Sequence, residues 1–202
     1  MTKSDSTRKP SRSENLVEGE LMRNAVGREG TYLDEVRRRR QQCLARIARI
    51  PIAALIWGPA PDAKTAVGRT RAALKEELTR HGHVAHYSED LYDASPEFSI
   101  EAQQAADVEA HDIVFSLPDS PGSIAEIHSF FKLPGLSGKI VTFLDKQWND
   151  GYANKSLVEL RSVATGDVFL YEAADLPDCV IREALTVVRR LQEVHFLLGR
   201  RA

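Results

Sequence analysis

From Pro51 onward the chain alternates short apolar runs with segments whose apolar residues follow helical spacing. The apolar runs predict strands over residues 52–57, 83–87, 112–117, 139–144 and 167–171. The helical patterns predict helices over residues 65–81, 100–110, 123–131, 156–163 and 179–198. Parallel strands need crossover connections, and helices provide them. We therefore expect an α/β fold, a Rossmann-like doubly wound parallel sheet of about five strands.

The first fifty residues have a different character. Apolar side chains such as Leu33, Val36 and Ile47 recur at helical spacing, which predicts a helix over roughly residues 16–49, interrupted near Gly27 to Gly30. Residues 1–15 are polar and are expected to form a disordered tail. The predicted domains are thus the tail 1–15, an N-terminal helical extension 16–50 and an α/β domain 51–202.

Charge divides the chain at the same place. Residues 1–50 carry 12 Lys and Arg against 7 Asp and Glu, whereas residues 51–202 carry 15 against 22, so the net charge of −2 is a cancellation. Arg37 to Arg40 are expected to lie mostly on a solvated helix face. A basic helix of this kind also fits docking on a nucleic acid or a regulatory protein, so residues 16–50 are a candidate surface for either partner.

Several classes of protein are excluded. No apolar run approaches the ~18 residues of a membrane helix, and the N-terminus lacks the apolar core of a secretory signal, so we expect a cytoplasmic protein without a membrane partner. Cys43 and Cys179 stand far apart and form no metal motif. His83 and His86 would point to opposite faces of a strand. No metal site and no cofactor are predicted.

The loop after the third predicted strand carries the most chemical information. It reads Pro118-Asp119-Ser120-Pro121-Gly122-Ser123-Ile124-Ala125-Glu126 and leads from a strand into a helix. Gly122 permits close approach of a ligand to the backbone, and the N–H groups around Ser123 favour an anion. Glu126 falls one turn inside the helix, where a carboxylate can attack or stabilise a sugar carbon. Alternatively, Ser123-x-x-Glu126 is a capping box with Ser123 as the cap.

Residues 51–145 resemble the nucleoside 2-deoxyribosyltransferase-like superfamily and its nucleotide N-glycosidase branches. The resemblance rests on four segments of this sequence, which are Ile56-Trp57-Gly58-Pro59, Asp112-Ile-Val-Phe, Ser120-x-Gly122-Ser123-x-x-Glu126 and Lys139-Ile-Val-Thr. It implies that Glu126 is the catalytic nucleophile and that Ser120 assists it. Transferases of the family commonly have Asp where this chain has Ser120, and the serine is more like the branch that hydrolyses deoxynucleoside monophosphates.

The form of the loop also resembles effector proteins of bacterial antiphage systems, including retron-associated ones, and the nucleotide-sensing domains called SLOG. The resemblance implies a toxin that depletes a nucleotide pool, or a sensor that binds a nucleotide signal. Family members commonly complete their pockets across subunits, which together with the wide apolar stripe of the last helix predicts a homo-oligomer.

The remaining candidate substrate-binding residues follow the first two strands or lie near the loop. They are Trp57, Gly58, Pro59, Tyr87, Asp90, Asp107, Gly122 and Ser123. Four of them have a structural alternative: Trp57 can be a core residue, Asp107 can lie on a solvated helix face, and Tyr87 and Asp90 can be ordinary turn residues.

Three functions therefore remain open. The first is an N-glycosidase or deoxyribosyltransferase-like enzyme, a hydrolase or transferase acting on a nucleotide, nucleoside or NAD-like molecule through Glu126. The second is a SLOG-like binding module that senses a nucleotide signal without catalysis. The third is a regulatory subunit that docks through its basic helical arm.

Overall fold

A computed structural model describes residues 12–62, 64–93, 97–133, 135–148, 155 and 167–199 of the 202-residue chain. For residues 12–29, Glu126 and Phe131 the description is limited to the backbone. The chain divides into two compact units, residues 1–46 and residues 47–202.

The second unit is built on five parallel strands in the order β2-β1-β3-β4-β5. The strands are β1 (Ala53–Trp57), β2 (Val84–Tyr87), β3 (Ile113–Ser116), β4 (Ile140–Asp145) and β5 (Asp167–Tyr171). Every neighbouring pair is parallel. The chain has an α/β, Rossmann-like fold, as predicted, and this strand order is one of the two common doubly wound arrangements.

Helix α1 (Arg12–Ile47) lies almost entirely in the first unit. In the second unit, helices follow the strands and pack on both faces of the sheet. They are α2 (Ala66–Arg80), α3 (Ile100–Ala110), α4 (Pro121–Phe131) and α5 (Asp178–Leu197). The helix predicted over residues 156–163 lies outside the described residues. The other predicted elements of this unit are confirmed, with ends that shift by one or two residues.

The alternation of side chains along each strand separates two cores. On one face Ile56 and Phe115 pack with Leu74 of α2 and Val187 of α5. On the other face lie side chains of β1, β3 and β4 together with those of α3 and α4, a cluster that includes Leu55, Val108, Val114, Ile124 and Ile140. The interior strands are apolar on both faces, which is why they read as nearly continuous apolar runs in the sequence.

Side chains fix the ends of the helices at the points where the backbone lacks partners. The Thr65 Oγ1 accepts a hydrogen bond from the Gly68 N–H at 2.9 Å and starts α2. At the carboxyl end of α3, the Lys139 Nζ donates to the carbonyl oxygens of Glu109 at 2.7 Å and His111 at 2.9 Å. Lys139 therefore ties the end of α3 to the start of β4 and suits the negative end of the helix dipole.

The N-terminal helix α1 is continuous, so the predicted interruption at Gly27 to Gly30 is wrong, and the helix begins before residue 16. A glycine inside a helix costs only about 1 kcal/mol, which a long helix tolerates. Glu35 accepts hydrogen bonds from Arg38 and Arg39, which lower its pKa to about 2. Arg37 to Arg40 are all exposed, as predicted, and so are apolar side chains of the same helix.

Within the described part of the chain, no helix is both long enough and apolar enough to cross a membrane.

Candidate active site at the carboxyl ends of β1 and β3

The strand order reverses between β1 and β3, since the chain goes from β1 to β2 on one side and later returns to add β3 on the other. In doubly wound sheets the crevice at such a switch point, beyond the carboxyl ends of the strands, is the usual ligand site. Trp57 ends β1 and Ser116 ends β3, and the two are paired in register. The candidate site therefore lies beside these two residues.

A cavity of about 140 Å³ opens at this point. Residues from both strand ends, from the segment after β2 and from helices α3 and α4 line it: Trp57, Gly58, Ser88, Gln104, Ser116, Pro118, Ser123, Ile127 and Phe130. None of these lining side chains is charged. The cavity combines aromatic walls with hydroxyl and amide groups, a lining that suits a neutral polar ring.

The wall on the α4 side is organised by Ser120, which is the N-cap of that helix. The Ser120 Oγ accepts from the Ser123 N–H at 3.3 Å, and the Ser120 N–H donates to the Ser123 Oγ at 3.2 Å. Pro121 occupies the first helical position, where its missing N–H is not needed. The helix thus starts two residues before the predicted start at 123.

This geometry excludes the alternative in which Ser123 caps the helix and Glu126 completes a capping box. Ser123 lies inside the helix, and its hydroxyl already satisfies the cap N–H of Ser120. Glu126 is the sixth helical residue, one turn after Ser123, which is too deep to bond the free N–H groups of the first turn. The side chain of Glu126 lies outside the described residues.

Gly122 lies in the first turn of α4, and no atom of the described residues there requires a glycine. Among these residues, a Cβ built on Gly122 would meet only the Ser120 Oγ, at 3.9 Å. Its predicted role, the close approach of a ligand to the backbone, stays a prediction.

Gly58 is required by packing. Its φ of +150° belongs to a conformation that L side chains rarely adopt, and a Cβ would lie 2.8 Å from the Leu117 carbonyl oxygen. The same turn is held by Arg71 of α2, whose guanidinium donates to the carbonyl oxygens of Gly58 at 3.0 Å and Pro59 at 2.8 Å. Gly58 and Pro59 are therefore placed by Arg71, and Gly58 lines the cavity.

Arg71 also binds the carboxylate of Glu89, through two hydrogen bonds of 2.6 and 2.5 Å. The Arg71 side chain is fully buried and that of Glu89 is half exposed. The Arg71 guanidinium holds the pKa of Glu89 below its ordinary value, against the opposing effect of burial. Sequence reasoning did not identify Arg71, because an arginine on an amphipathic helix usually lies on the solvated face.

Tyr87 and Asp90, predicted to bind substrate, are not among the residues that line the cavity, and their side chains contact α2 instead. Tyr87 points to the α2 face of the sheet, where its ring packs under Lys75 at 3.9 Å and Arg71 at 4.6 Å. Asp90 forms an ion pair with Lys75 at 2.9 Å. The alternation of side chains along β2 decides this, since Tyr87 shares a face with Ala85 and not with His86.

Asp107 lies on α3 and lines two further cavities, of about 200 and 440 Å³, that follow α3 outward from the switch point. The nearer one shares Ser88 and Gln104 with the first cavity, so the three form a row. Burial raises the pKa of Asp107, and the nearby His111 partly opposes the shift. Asp107 is half buried in this groove rather than on a fully solvated helix face.

The histidines serve separate structural contacts. The His83 Nδ1 accepts from the Ile52 N–H at 3.3 Å, whereas the His86 Nδ1 lies 3.1 Å from the His111 Nε2. Among the described residues, no group of three or more metal-ligating side chains comes together.

The structure adds Gln104 and Ser116 to the candidate site, and it brings Ser88, which directly follows β2, to the same cavity. Ser116 lies in an apolar strand, and its polar side chain within a buried run was the one feature of the sequence that could have indicated a functional residue. Gln104 and Ser88 come from elements that only the strand order brings to β1 and β3. Trp57 lines the cavity as predicted, but it also packs on Phe130, with ring centroids 5.0 Å apart. Trp57 is therefore both a core residue and a cavity wall.

Comparisons with known proteins leave the family open. No family profile matches the sequence, and no curated protein sequence matches it. A solved structure described as a quinone reductase from Klebsiella pneumoniae is similar over 72% of this chain and 83% of its own, with 13% identity and a TM-score of 0.37. That likeness is too distant to bear on activity. The geometry at the carboxyl ends of β1 and β3 therefore carries the functional proposal.

Proposed function

We propose that this protein cleaves the N-glycosidic bond of a nucleotide, nucleoside or NAD-like substrate, with Glu126 as the nucleophile. The proposal is supported chiefly by one observation. The cap of α4 is formed by Ser120 and Ser123 beside the switch-point cavity, so Glu126 is released from any capping role one turn further on.

The charges around the cavities indicate how such a substrate would lie. Among the described residues that line the cavity at Trp57 and Ser116 none is charged, which suits a heterocyclic base. The groove along α3 contains the carboxylates of Asp93, Glu97 and Asp107, which disfavour a phosphate. The open backbone at Gly122 in the first turn of α4 is the better place for an anionic group.

The chemistry follows from these positions. The Glu126 carboxylate forms a bond to C1′ while the bond from C1′ to the base nitrogen breaks, and its electron pair leaves with the base. Water then attacks C1′, releases the carboxylate and gives up a proton to solvent. A neutral base takes up a proton as it leaves, whereas a cationic nicotinamide leaves as a neutral molecule. If an acceptor base replaces water, the same intermediate gives transfer.

A binding module without catalysis is the second candidate, and one observation favours it. The Ser120 hydroxyl, expected to assist Glu126, is engaged with Ser123, since the two Oγ atoms lie 3.0 Å apart. A serine used in this way stabilises the helix whether or not chemistry follows. A nucleotide sensor would need only the cavity and the first turn of α4.

Base release distinguishes the two candidates. Purified full-length protein is incubated with deoxynucleoside monophosphates, nucleosides and NAD, and free base or nicotinamide is measured by liquid chromatography. We expect release by the wild type, loss of at least about 100-fold in Glu126→Gln, and full activity in Glu101→Gln, an exposed glutamate of α3. Binding without release by the wild type would establish the sensor instead, and an absence of binding would contradict both.

The role as an antiphage toxin remains a prediction from the resemblance. If the protein depletes a nucleotide pool, expression of the wild type should arrest bacterial growth, and expression of Glu126→Gln at the same level should not. Homo-oligomerisation and the docking of residues 16–50 on a regulatory protein or a nucleic acid also remain predictions. Mass measurement by light scattering, with and without candidate partners, tests both.

A further inference from the structure

Three unpaired polar atoms form a row across the sheet beside the switch-point cavity. In the described part of the chain, the buried side-chain atoms without a hydrogen-bond partner include the Trp57 Nε1, the Ser116 Oγ and the Thr142 Oγ1. Trp57 is paired in register with Ser116, and Ser116 with Thr142. All three residues share the face of the sheet that α3 and α4 cover.

Such a row calls for a physical explanation. Buried polar groups are nearly always hydrogen-bonded, because an unpaired group loses its hydrogen bonds to water and gains no protein hydrogen bond in their place. Ser116 is 1% exposed and Thr142 is fully buried, so water does not supply the missing bonds at the surface. Two of the three residues, Trp57 and Ser116, line the cavity, whereas Thr142 does not. Trp57 and Ser116 therefore combine a place in the cavity wall with a polar atom that is buried and unpaired, and a bound molecule meets that atom when the side chain turns towards the cavity.

The size and polarity of the cavity limit what that molecule is. A cavity of about 150 Å³ accommodates one benzene ring, and this one measures about 140 Å³. The indole N–H of Trp57 can only donate, so it needs an acceptor on the ligand. The Ser116 hydroxyl can donate to a second lone pair or group. The described residues that line the cavity carry no charge, so a ring gains more from it than a phosphate group does.

We propose that Trp57 and Ser116 recognise a single six-membered nitrogen heterocycle through its carbonyl oxygen, as found in a uracil-type base or in nicotinamide. This inference rests on the proposed function in treating the cavity as the base subsite. It makes Trp57 and Ser116 the residues that determine specificity.

Titration of the full-length protein with free ring compounds tests this proposal without any turnover. Uracil and nicotinamide are the two probes, and benzene is the control of equal ring size without an acceptor. We monitor the indole N–H resonances by NMR. The chain contains two tryptophans, and a Trp148→Phe variant assigns the signal of Trp57. We expect uracil or nicotinamide to shift the Trp57 signal downfield and to bind roughly tenfold more tightly than benzene. Whichever of the two binds identifies the substrate class.

Ser116→Ala and Thr142→Val form a matched pair of variants. Both remove an unpaired buried hydroxyl, so both should leave the melting temperature unchanged or raised. Only Ser116→Ala should weaken binding of the carbonyl ring, by roughly tenfold, because Thr142 does not line the cavity. If Ser116→Ala does not fold, Trp57→Phe serves as the second variant, since it keeps an aromatic ring and removes the N–H group.

Four results would overturn the proposal: binding of neither probe, benzene binding as tightly as both, unchanged affinity in Ser116→Ala, or a lowered melting temperature in both hydroxyl variants. Failure of the proposed function has a different signature. Ring binding without base release would support recognition of the ring by Trp57 and Ser116 and would contradict the proposed N-glycosidic cleavage. Base release that is insensitive to Ser116→Ala would support the cleavage and contradict the role of Ser116.

Discussion

Ser120 and Ser123 bond each other reciprocally across the first turn of α4: the Ser120 Oγ accepts from the Ser123 N–H at 3.3 Å, and the Ser123 Oγ accepts from the Ser120 N–H at 3.2 Å. Each serine thereby satisfies a backbone donor that the helix itself leaves free. The pair fixes where α4 begins, and with it the distance from the strand end at Ser116 to Glu126.

The stability of variants in this turn tests whether Glu126 has a capping role. Ser120→Ala should lower the free energy of unfolding by about 1 kcal/mol, because one backbone N–H loses its partner. Glu126→Gln should leave it unchanged within about 0.5 kcal/mol. Urea unfolding followed by circular dichroism measures both. A larger loss in Glu126→Gln than in Ser120→Ala would restore the capping box with Ser123 as its cap.

The pair of Arg71 and Glu89 gives a second prediction. Glu89→Gln leaves the buried guanidinium without its carboxylate, although the carbonyl oxygens of Ile56, Gly58 and Pro59 remain. We expect a loss of about 2 kcal/mol in the free energy of unfolding. Asp90→Asn, which breaks the more exposed ion pair with Lys75, is the control and should change it by less than about 1 kcal/mol. Equal losses of unfolding free energy in Glu89→Gln and Asp90→Asn would contradict the importance of the Arg71–Glu89 pair.

The same pair predicts a pH dependence. The pKa of Glu89 is lowered in the folded protein, chiefly by Arg71. Its stabilising effect is therefore fully present above the unfolded pKa, near 4, and is lost as the pH falls through the lower folded value. The difference between wild type and Glu89→Gln in urea unfolding should be constant from pH 8 to pH 6 and should shrink below about pH 4. A difference that grows on acidification would contradict the ion pair.

Asp107 should behave in the opposite way. Burial in the groove raises its pKa, so its ionised form destabilises the fold above that raised value, and the penalty disappears below the unfolded pKa near 4. Asp107→Asn should be more stable than wild type at pH 7, by about 0.5 kcal/mol, with the gain vanishing towards pH 4. Melting temperatures at a series of pH values measure this. Glu101→Gln, at an exposed position of α3, should show no such trend.

The boundary of the α/β unit can be tested by truncation. Ile50 is 4% exposed, and the Gln192 side chain donates to the carbonyl oxygens of Ala48 at 3.0 Å and Ile50 at 2.9 Å. Deletion of residues 1–46 should leave the unfolding midpoint of the α/β unit unchanged. Deletion of residues 1–50 removes these contacts and should lower its stability by about 3 kcal/mol. Equal midpoints in the two truncated proteins would show that Gln192 and Ile50 contribute little.

The sequence predicted elements well wherever local periodicity carries the information. The buried strands read as apolar runs because both of their faces are covered, and α5 reads as a helix because one stripe packs on the sheet. Predictions of element boundaries were wrong where two local signals compete. Ser123-x-x-Glu126 and Ser120-Pro121 both mark a helix start, and only the folded backbone shows that Ser120 is the cap. Competing signals also explain the error in α1, where the helical spacing of apolar residues favours continuity and the glycines favour an interruption.

For the candidate site too, some features follow from local patterns and others follow from the fold. Local residue patterns predict the alternating elements, the loop from Ser120 to Glu126 and the binding of ligands beyond the strand ends. The side chains that meet there are set by the folding of distant segments. This folding brought Ser116, Ser88 and Gln104 to Trp57, turned Tyr87 towards α2 and buried Arg71. Those placements depend on strand order and register between segments distant in the chain, which no local pattern of apolar and polar residues encodes.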